Sequence, residues 1–283
     1  VIRPPFALAR RFVAGETLPE AIEAVRGLNG RGLSASLDIL GENVSDPAAA
    51  AAAREDYVRL LDEIARSGVD ANISIKLTML GLDRGEGPCE ENLRAVLAAA
   101  RERGTFVRID MEGSRYTAAT LALFHRTFPE FPDSGVVIQS YLYRSRADVA
   151  ELNRSGARVR LVKGAYKEPP SIAWPRREDV NRSFDELAEA LIGGGRYPAI
   201  ATHDDARIEH ARAAAERLGV PRTAYELQML YGIRRARQET LAREGHPVRI
   251  YVPYGRDWFP YFYRRLRERK ENVFFVLRNL FRS

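Results

Sequence analysis

Residues 135–163, GVVIQSYLYRSRADVAELNRSGARVRLVK, read as strand, helix, strand. Gly135–Leu142 is an apolar, β-branched run, Arg146–Ser155 is helical, and Arg158–Lys163 is again strand-like. The unit repeats on both sides. Upstream, strands Leu33–Leu40, Asn72–Leu77 and Phe106–Met111 are followed by helices at about 46–67, Glu90–Arg103 and Thr117–Thr127. Asp46 is the expected N-cap of the first of these, with Pro47 in its first turn. Downstream, helices Asp179–Ile192, Ala206–Leu218 and Arg234–Arg243 alternate with strands Ala199–Thr202, Ala224–Leu230 and Val248–Val252, and a last helix carries Tyr261–Glu268. Such alternation implies a parallel α/β sheet with right-handed crossovers. Eight units in about 240 residues is the size of a (β/α)8 TIM-type barrel. The competing fold, an open doubly wound sheet, would carry a Gly-rich phosphate turn after its first strand, and LDILGEN (37–43) is not one. Residues 1–29 read as helical, with a stop at Asn29-Gly30. The expected organisation is one catalytic barrel domain over 1–283. Extra N-terminal helices in 1–30 would pack on it, and helix eight would lie over the barrel mouth.

The chain has 283 residues, a net charge of +6 and a pI near 9.5, with Arg supplying almost all the positive charge. That charge is spread along the chain, with no basic tail and no nucleic-acid motif, so a nucleic-acid partner is not expected. Cys89 is the single cysteine, which rules out an internal disulfide and fits a reducing cytosol. The four histidines have no metal-ligand spacing, so no metal is expected. No apolar run reaches spanning length and no signal peptide is visible.

In a barrel, polar residues at the C-terminal ends of strands converge on one mouth. Here those ends carry Asp38, Lys76, Asp110, Gln139, Arg160 with Lys163, Thr202 with His203, Gln228, and Tyr251. Charges within apolar runs, such as Lys76 in SIKLT and Asp110 in VRIDM, need partners when buried. Any one of them fits a salt bridge plugging the barrel; the recurrence from strand to strand points to a site. On the last helix, Tyr261, Arg264, Arg265 and Glu268 share one face at i, i+3, i+4 and i+7. Alone, that face is equally a solvated basic stripe. Over a polar mouth, two adjacent Arg suit a planar anion held bidentately. Gly164-Ala165 would let a bulky planar ligand approach the backbone. The Pro-rich stretch Lys167–Arg177 follows strand five and would serve as a lid.

Taken together, SIKL (74–77), the Asp of VRID (107–110), RLVKGAY (160–166), ATHD (201–204), QML.G (228–232) and Y..RR..E (261–268) resemble the proline dehydrogenase family. The likeness runs from strand one to helix eight. Each motif alone is weak, and their order in a barrel register is specific. The resemblance implies a FAD-dependent oxidoreductase acting on a CH–NH bond. It would oxidise L-proline to pyrroline-5-carboxylate, the first step of proline catabolism, by hydride transfer from C5 to flavin N5. No aldehyde dehydrogenase or DNA-binding segment accompanies the barrel, so the likeness is to the monofunctional bacterial form. Lys167 departs from the bifunctional relatives, which have an aromatic after GAY; this puts one cofactor stacking contact in question.

The resemblance also implies roles. Arg264, Arg265 and Lys76 would hold the proline carboxylate. Tyr251, Tyr261 and Leu230 would line the ring pocket, Asp110 would orient the polar groups around it, and Glu268 would pair with the Arg face. Arg160 would sit near flavin N5. Gln139, Val162, Lys163, Gly164, Ala165, Tyr166, Ala201, Thr202, His203 and Gln228 resemble the family's flavin contacts. No Cys or His is set for a covalent link, so FAD would be bound non-covalently. Glu42 has a separate rationale. Unit one of a closed barrel adjoins unit eight, so the loop after strand one borders the Arg264 helix. Glu42 there is either a gate that pairs with Arg264 or an exposed loop carboxylate of little effect. The family's electron acceptor is a membrane quinone. A cytoplasmic protein with mild basic charge would associate peripherally with the inner membrane face. Two other readings stand beside this one: a Schiff-base aldolase using Lys76, its pKa depressed by a nearby Arg, and a non-catalytic barrel that binds an amino acid or phosphate.

Overall fold

The computed structural model describes residues 6–268. Eight parallel strands close into a barrel in sequence order: β1 (Ser34–Ile39), β2 (Ala71–Ile75), β3 (Val107–Ile109), β4 (Ser134–Gln139), β5 (Arg158–Val162), β6 (Ala199–Ala201), β7 (Glu226–Leu230) and β8 (Val248–Tyr254). The barrel closes where β8 pairs with β1, from Ser34–Arg249 to Ile39–Tyr254. Two helices precede it, α1 (Phe6–Ala9) and α2 (Leu18–Asn29). One follows each strand: α3 (Pro47–Ser67), α4 (Glu86–Glu102), α5 (Ser114–Thr127), α6 (Ser145–Arg154), α7 (Arg177–Gly194), α8 (Asp205–Arg217), α9 (Arg235–Arg243) and α10 (Trp258–Glu268). This is the TIM-type barrel expected from the repeat.

Local chemistry sets the boundaries. The Asp46 side chain accepts from the Ala48 and Ala49 amides, Pro47 opens α3, and an alanine run carries it on. Gly68, at φ 66°, ends it in the left-handed region. Three expectations need correction. Residues 1–29 are not one helical stretch. Among the described residues, α1 ends at Ala9 and α2 starts at Leu18 behind a Thr17/Glu20 capping box. Between them the backbone bonds to the end of β8, Ala14 N to the Pro253 carbonyl and Gly255 N to the Gly15 carbonyl. Strand β4 stops at Gln139 rather than Leu142, because Leu142 N turns back onto the Gln139 carbonyl and residues 141–143 bond instead to 172–174. Helix α4 begins one turn earlier than its spacing suggests, at Glu86.

Alternation along the strands separates two interiors. Leu37, Ile73, Ile109, Val136, Val159, Leu161, Ile200, Leu227 and Ile250 face the helices within one large apolar core. Their neighbours Ser36, Asp38, Ser74, Arg108, Arg160, Glu226 and Gln228 are equally buried but polar. Arg160 Nη2 reaches Ser36 Oγ at 3.3 Å and Ser74 Oγ at 3.0 Å from the far wall, so this set meets in the lumen. Gly135 makes room there: a Cβ would stand 2.5 Å from Arg108 Nη1 and 2.3 Å from the Arg158 carbonyl oxygen. A second, smaller apolar cluster joins Ala9, Phe12 and Val13 of the N-terminal segment to Leu40, Ile233, Trp258, Tyr261 and Phe262. It seats α10 across the C-terminal end of the barrel.

Candidate active site

At that end lies a cavity of about 420 Å³, within the range of small-molecule sites. Its floor is made by strand ends. Lys76 Nζ donates to Asp38 Oδ1 at 2.6 Å, with both side chains buried. Asp110 accepts from Arg160 Nη1 at 2.7 Å on one oxygen and from the Tyr251 hydroxyl at 2.7 Å on the other. Burial opposes the Lys76 charge, but Asp38, then Asp110 and Tyr57, hold the ammonium above its ordinary range. Burial, helped by Asp110 and Asp38, raises the Tyr251 phenol well above its usual value, so it remains a donor. The floor is thus a chain of fixed charges and donors.

The wall after β5 and β6 carries Val162, Lys163, Gly164, Ala165, Tyr166, Ala201, Thr202 and His203. Lys163 Nζ bridges Asn181 Oδ1 (2.6 Å) and Asp204 Oδ2 (2.9 Å). His203 Nε2 accepts from Leu230 N at 2.9 Å, which makes Nδ1 the protonated nitrogen of the neutral ring. Gly164 has a reason beyond ligand approach. Its φ is 117°, and a Cβ would fall 2.5 Å from the Tyr141 ring. Gln139 Nε2 donates to the Glu112 carbonyl at 2.9 Å. Gln228 and Leu230 complete the wall.

The roof is α10. Tyr261 and Arg265 are buried beneath it, with the Arg265 guanidinium 5.0 Å from the Tyr261 ring centroid. Arg264 Nη2 donates to Glu42 Oε1 at 2.9 Å, which ties the loop after β1 to the last helix. Thus Glu42, Lys76, Asp110, Gln139, Arg160, the 162–166 run, 201–203, Gln228, Leu230, Tyr251, Tyr261, Arg264 and Arg265 border one cavity. The side chain of Glu268 lies outside the described residues. The Lys167–Arg177 loop is tied beside the mouth. Glu168 accepts from Ser114 N (2.7 Å) and Ser114 Oγ (2.5 Å), Ala173 bridges Leu142, and Trp174 meets Tyr143 edge-on.

Several residues without an assigned role also belong here. Asp38, Met111, Val137, Arg177, Asp204 and Met229 line the cavity. Asp38 was visible as a polar strand end and Asp204 within ATHD. Arg177 carries no periodic or strand-end signal. Glu112, 3% exposed, sits just past β3 and accepts from Thr78 N (3.1 Å) and Thr78 Oγ1 (2.6 Å). Burial raises its carboxyl against those hydrogen bonds. Thr78 in turn receives the Asn43 amide, so Glu112 supports the loop that carries Glu42.

Comparison with known proteins agrees with this geometry. A sequence model described as proline dehydrogenase matches residues 21–278. The chain belongs to the proline dehydrogenase family. It is 40% identical over 275 residues to proline dehydrogenase 1 of Bacillus subtilis subsp. natto, covering 97% of this chain and 91% of that one. It is also 40% identical over 281 residues to proline dehydrogenase of Deinococcus radiodurans, covering 98% and 91%. Proline utilization A from Bdellovibrio bacteriovorus, solved after inactivation by N-propargylglycine, superposes with a TM-score of 0.87 at 27% identity. That likeness covers 92% of this chain but 32% of the larger protein. Among the described residues, no helix is long and apolar enough to cross a membrane, and no group of three or more His, Cys, Asp or Glu could hold a metal ion.

Proposed function

We propose that this proline dehydrogenase family member oxidises L-proline to pyrroline-5-carboxylate with non-covalently bound FAD and passes the electrons to a quinone. The observation that carries the reading is one cavity that joins the Arg264–Arg265 roof to the Lys76 floor beside the 160–166 wall. The roof and floor supply three cations around a space where a small carboxylate would otherwise be unbalanced. The wall suits a planar polar cofactor. Arg160 borders this cavity and is 4% exposed, and its buried Nε has no hydrogen-bond partner among the described residues, so a cation with an unused donor lies beside the wall. Bound FAD would accept the hydride from proline C5 at its N5.

The chain's own residues position and tune. Arg264, Arg265 and Lys76 bind the carboxylate, and Tyr251, Tyr261 and Leu230 pack on the pyrrolidine ring. Asp110 fixes Tyr251 and Arg160. Arg160 favours negative charge arriving beside it. Gln139, Val162, Lys163, Gly164, Ala165, Tyr166, Ala201, Thr202, His203 and Gln228 hold the cofactor. Glu42 closes the mouth on Arg264. The aldolase reading loses its support, since a Schiff-base lysine needs a depressed pKa and that of Lys76 is raised. The test is turnover of proline with a soluble quinone, the product trapped as its coloured o-aminobenzaldehyde adduct. Adduct formed in step with quinone reduction supports the proposal. Quinone reduction without adduct, or neither, refutes it.

A further inference from the structure

Below the cavity floor, β7 carries a buried carboxylate, Glu226, two residues before Gln228. Glu226 is 2% exposed and Gln228 3%. Residues two apart on a strand share a face, and both side chains meet in the lumen: Gln228 Nε2 donates to Glu226 Oε1. The other carboxylate oxygen, Oε2, accepts from Arg249 Nε at 3.0 Å, and Arg249 Nη1 is itself fixed on the Ala35 carbonyl at 2.7 Å. Arg249 and Arg108 keep Glu226 ionised, pulling its carboxyl below the ordinary range although burial alone would raise it. An ionised carboxylate only accepts hydrogen bonds. The Gln228 amide must therefore turn its NH2 group down toward Glu226. Its carbonyl oxygen is left for the cavity, which Gln228 lines.

We propose that Glu226 is a positioning residue: by holding the Gln228 amide, it makes this wall of the cavity a hydrogen-bond acceptor that selects a ring N–H. On the FAD reading above, on which this inference rests, the matching group is the imide N–H of the isoalloxazine, and not one of its carbonyl oxygens. The groups that face Glu226 are Arg249 from β8, Arg108 from β3, Arg158 from β5 and Tyr197 ahead of β6. Each is a cation or a neutral phenol, so none competes for the acceptor role. With Gln at 226, the side chain can donate to Gln228, which lets the Gln228 amide reverse and point its NH2 at the cavity.

The test is an alkaline titration of the flavin visible spectrum in the purified holoenzyme, following loss of the imide proton. An acceptor backed by a carboxylate protects that proton. In wild type the transition should lie above that of free FAD. In Glu226→Gln it should fall by a pH unit or more, a tenfold gain in acidity. Gln228→Leu removes the carbonyl while leaving the Glu226–Arg249 pair, and should give a fall of the same sign; it serves should Glu226→Gln not fold. A transition equally placed in wild type and in the folded variants, with flavin bound in each, overturns the role of Glu226 and leaves the FAD proposal standing. Failure of wild type to bind flavin overturns both.

Discussion

On β5, Val159 and Leu161 are fully buried against the helices, and Arg160 between them is 4% exposed in the lumen. Equal burial therefore serves opposite chemistry on the two sides of one strand. Outside, shape and apolar area decide which residue fits. Inside, each charge demands a named partner: Lys76 has Asp38, Arg160 has Asp110, and Arg249 has Glu226. Many TIM-type barrels fill the lumen with layers of Val, Ile and Leu. Buried ion pairs are a poor means of stabilising a fold, because desolvation offsets their attraction. A lumen built from them makes sense as a rigid electrostatic platform beneath a site, with the shell supplying the stability.

That contrast can be broken by substitution. Arg265→Met and Arg264→Met should each raise the proline KM severely, by roughly 2–5 kcal/mol of lost binding, with thermal stability little changed. Steady-state kinetics beside a melting curve checks both halves. Wild-type KM in both variants would remove the carboxylate from α10. On the shell, Leu161→Ala should cost about 2–5 kcal/mol of stability in denaturant unfolding, while the KM of the folded protein stays put. A large KM change there would show that the two interiors are not separable.

Smaller effects sharpen the boundary at the mouth. Glu42 and Arg264 are partly exposed, so their pair is worth only about 0.2–1 kcal/mol as a stabilising contact. If it acts as a gate, Glu42→Ala should impair proline turnover without loss of flavin, and adding Arg264→Ala should bring little further loss. Fully additive losses would mean that the two act independently. The smallest effect is one of pH. Glu112 holds its proton more tightly folded than unfolded, because burial penalises its charge. The native state therefore binds the extra proton, and stability falls as pH rises from the usual carboxylate range through the raised native value. Glu112→Gln should flatten that part of the curve of Tm against pH. An unchanged slope would assign the fall to other groups.

The barrel was legible because eight apolar runs recur at regular spacing, and the strand-end charges stood out because Lys76 and Asp110 interrupt such runs. What stayed hidden was depth. Arg108, Glu226 and Arg249 lie lower on the strands, where a single charge in a short run reads as solvated until closure places it in the lumen. Glu112 lies in a connecting segment and Arg177 is the first residue of α7, ahead of its apolar positions, so neither carries a periodic signal. The break between α1 and α2 depends on hydrogen bonds to residues 253–255, far away in sequence. Gly164 was legible as a required glycine, but its packing partner Tyr141 was not.

The most direct measurement is the visible spectrum of the purified protein, recorded anaerobically before and after addition of L-proline. The expected result is a flavin spectrum that acid precipitation releases into solution, and that proline bleaches without any added acceptor. Protein that takes up no FAD, or bound flavin that proline leaves oxidised, would contradict the assignment of the charged lumen and its mouth to proline oxidation.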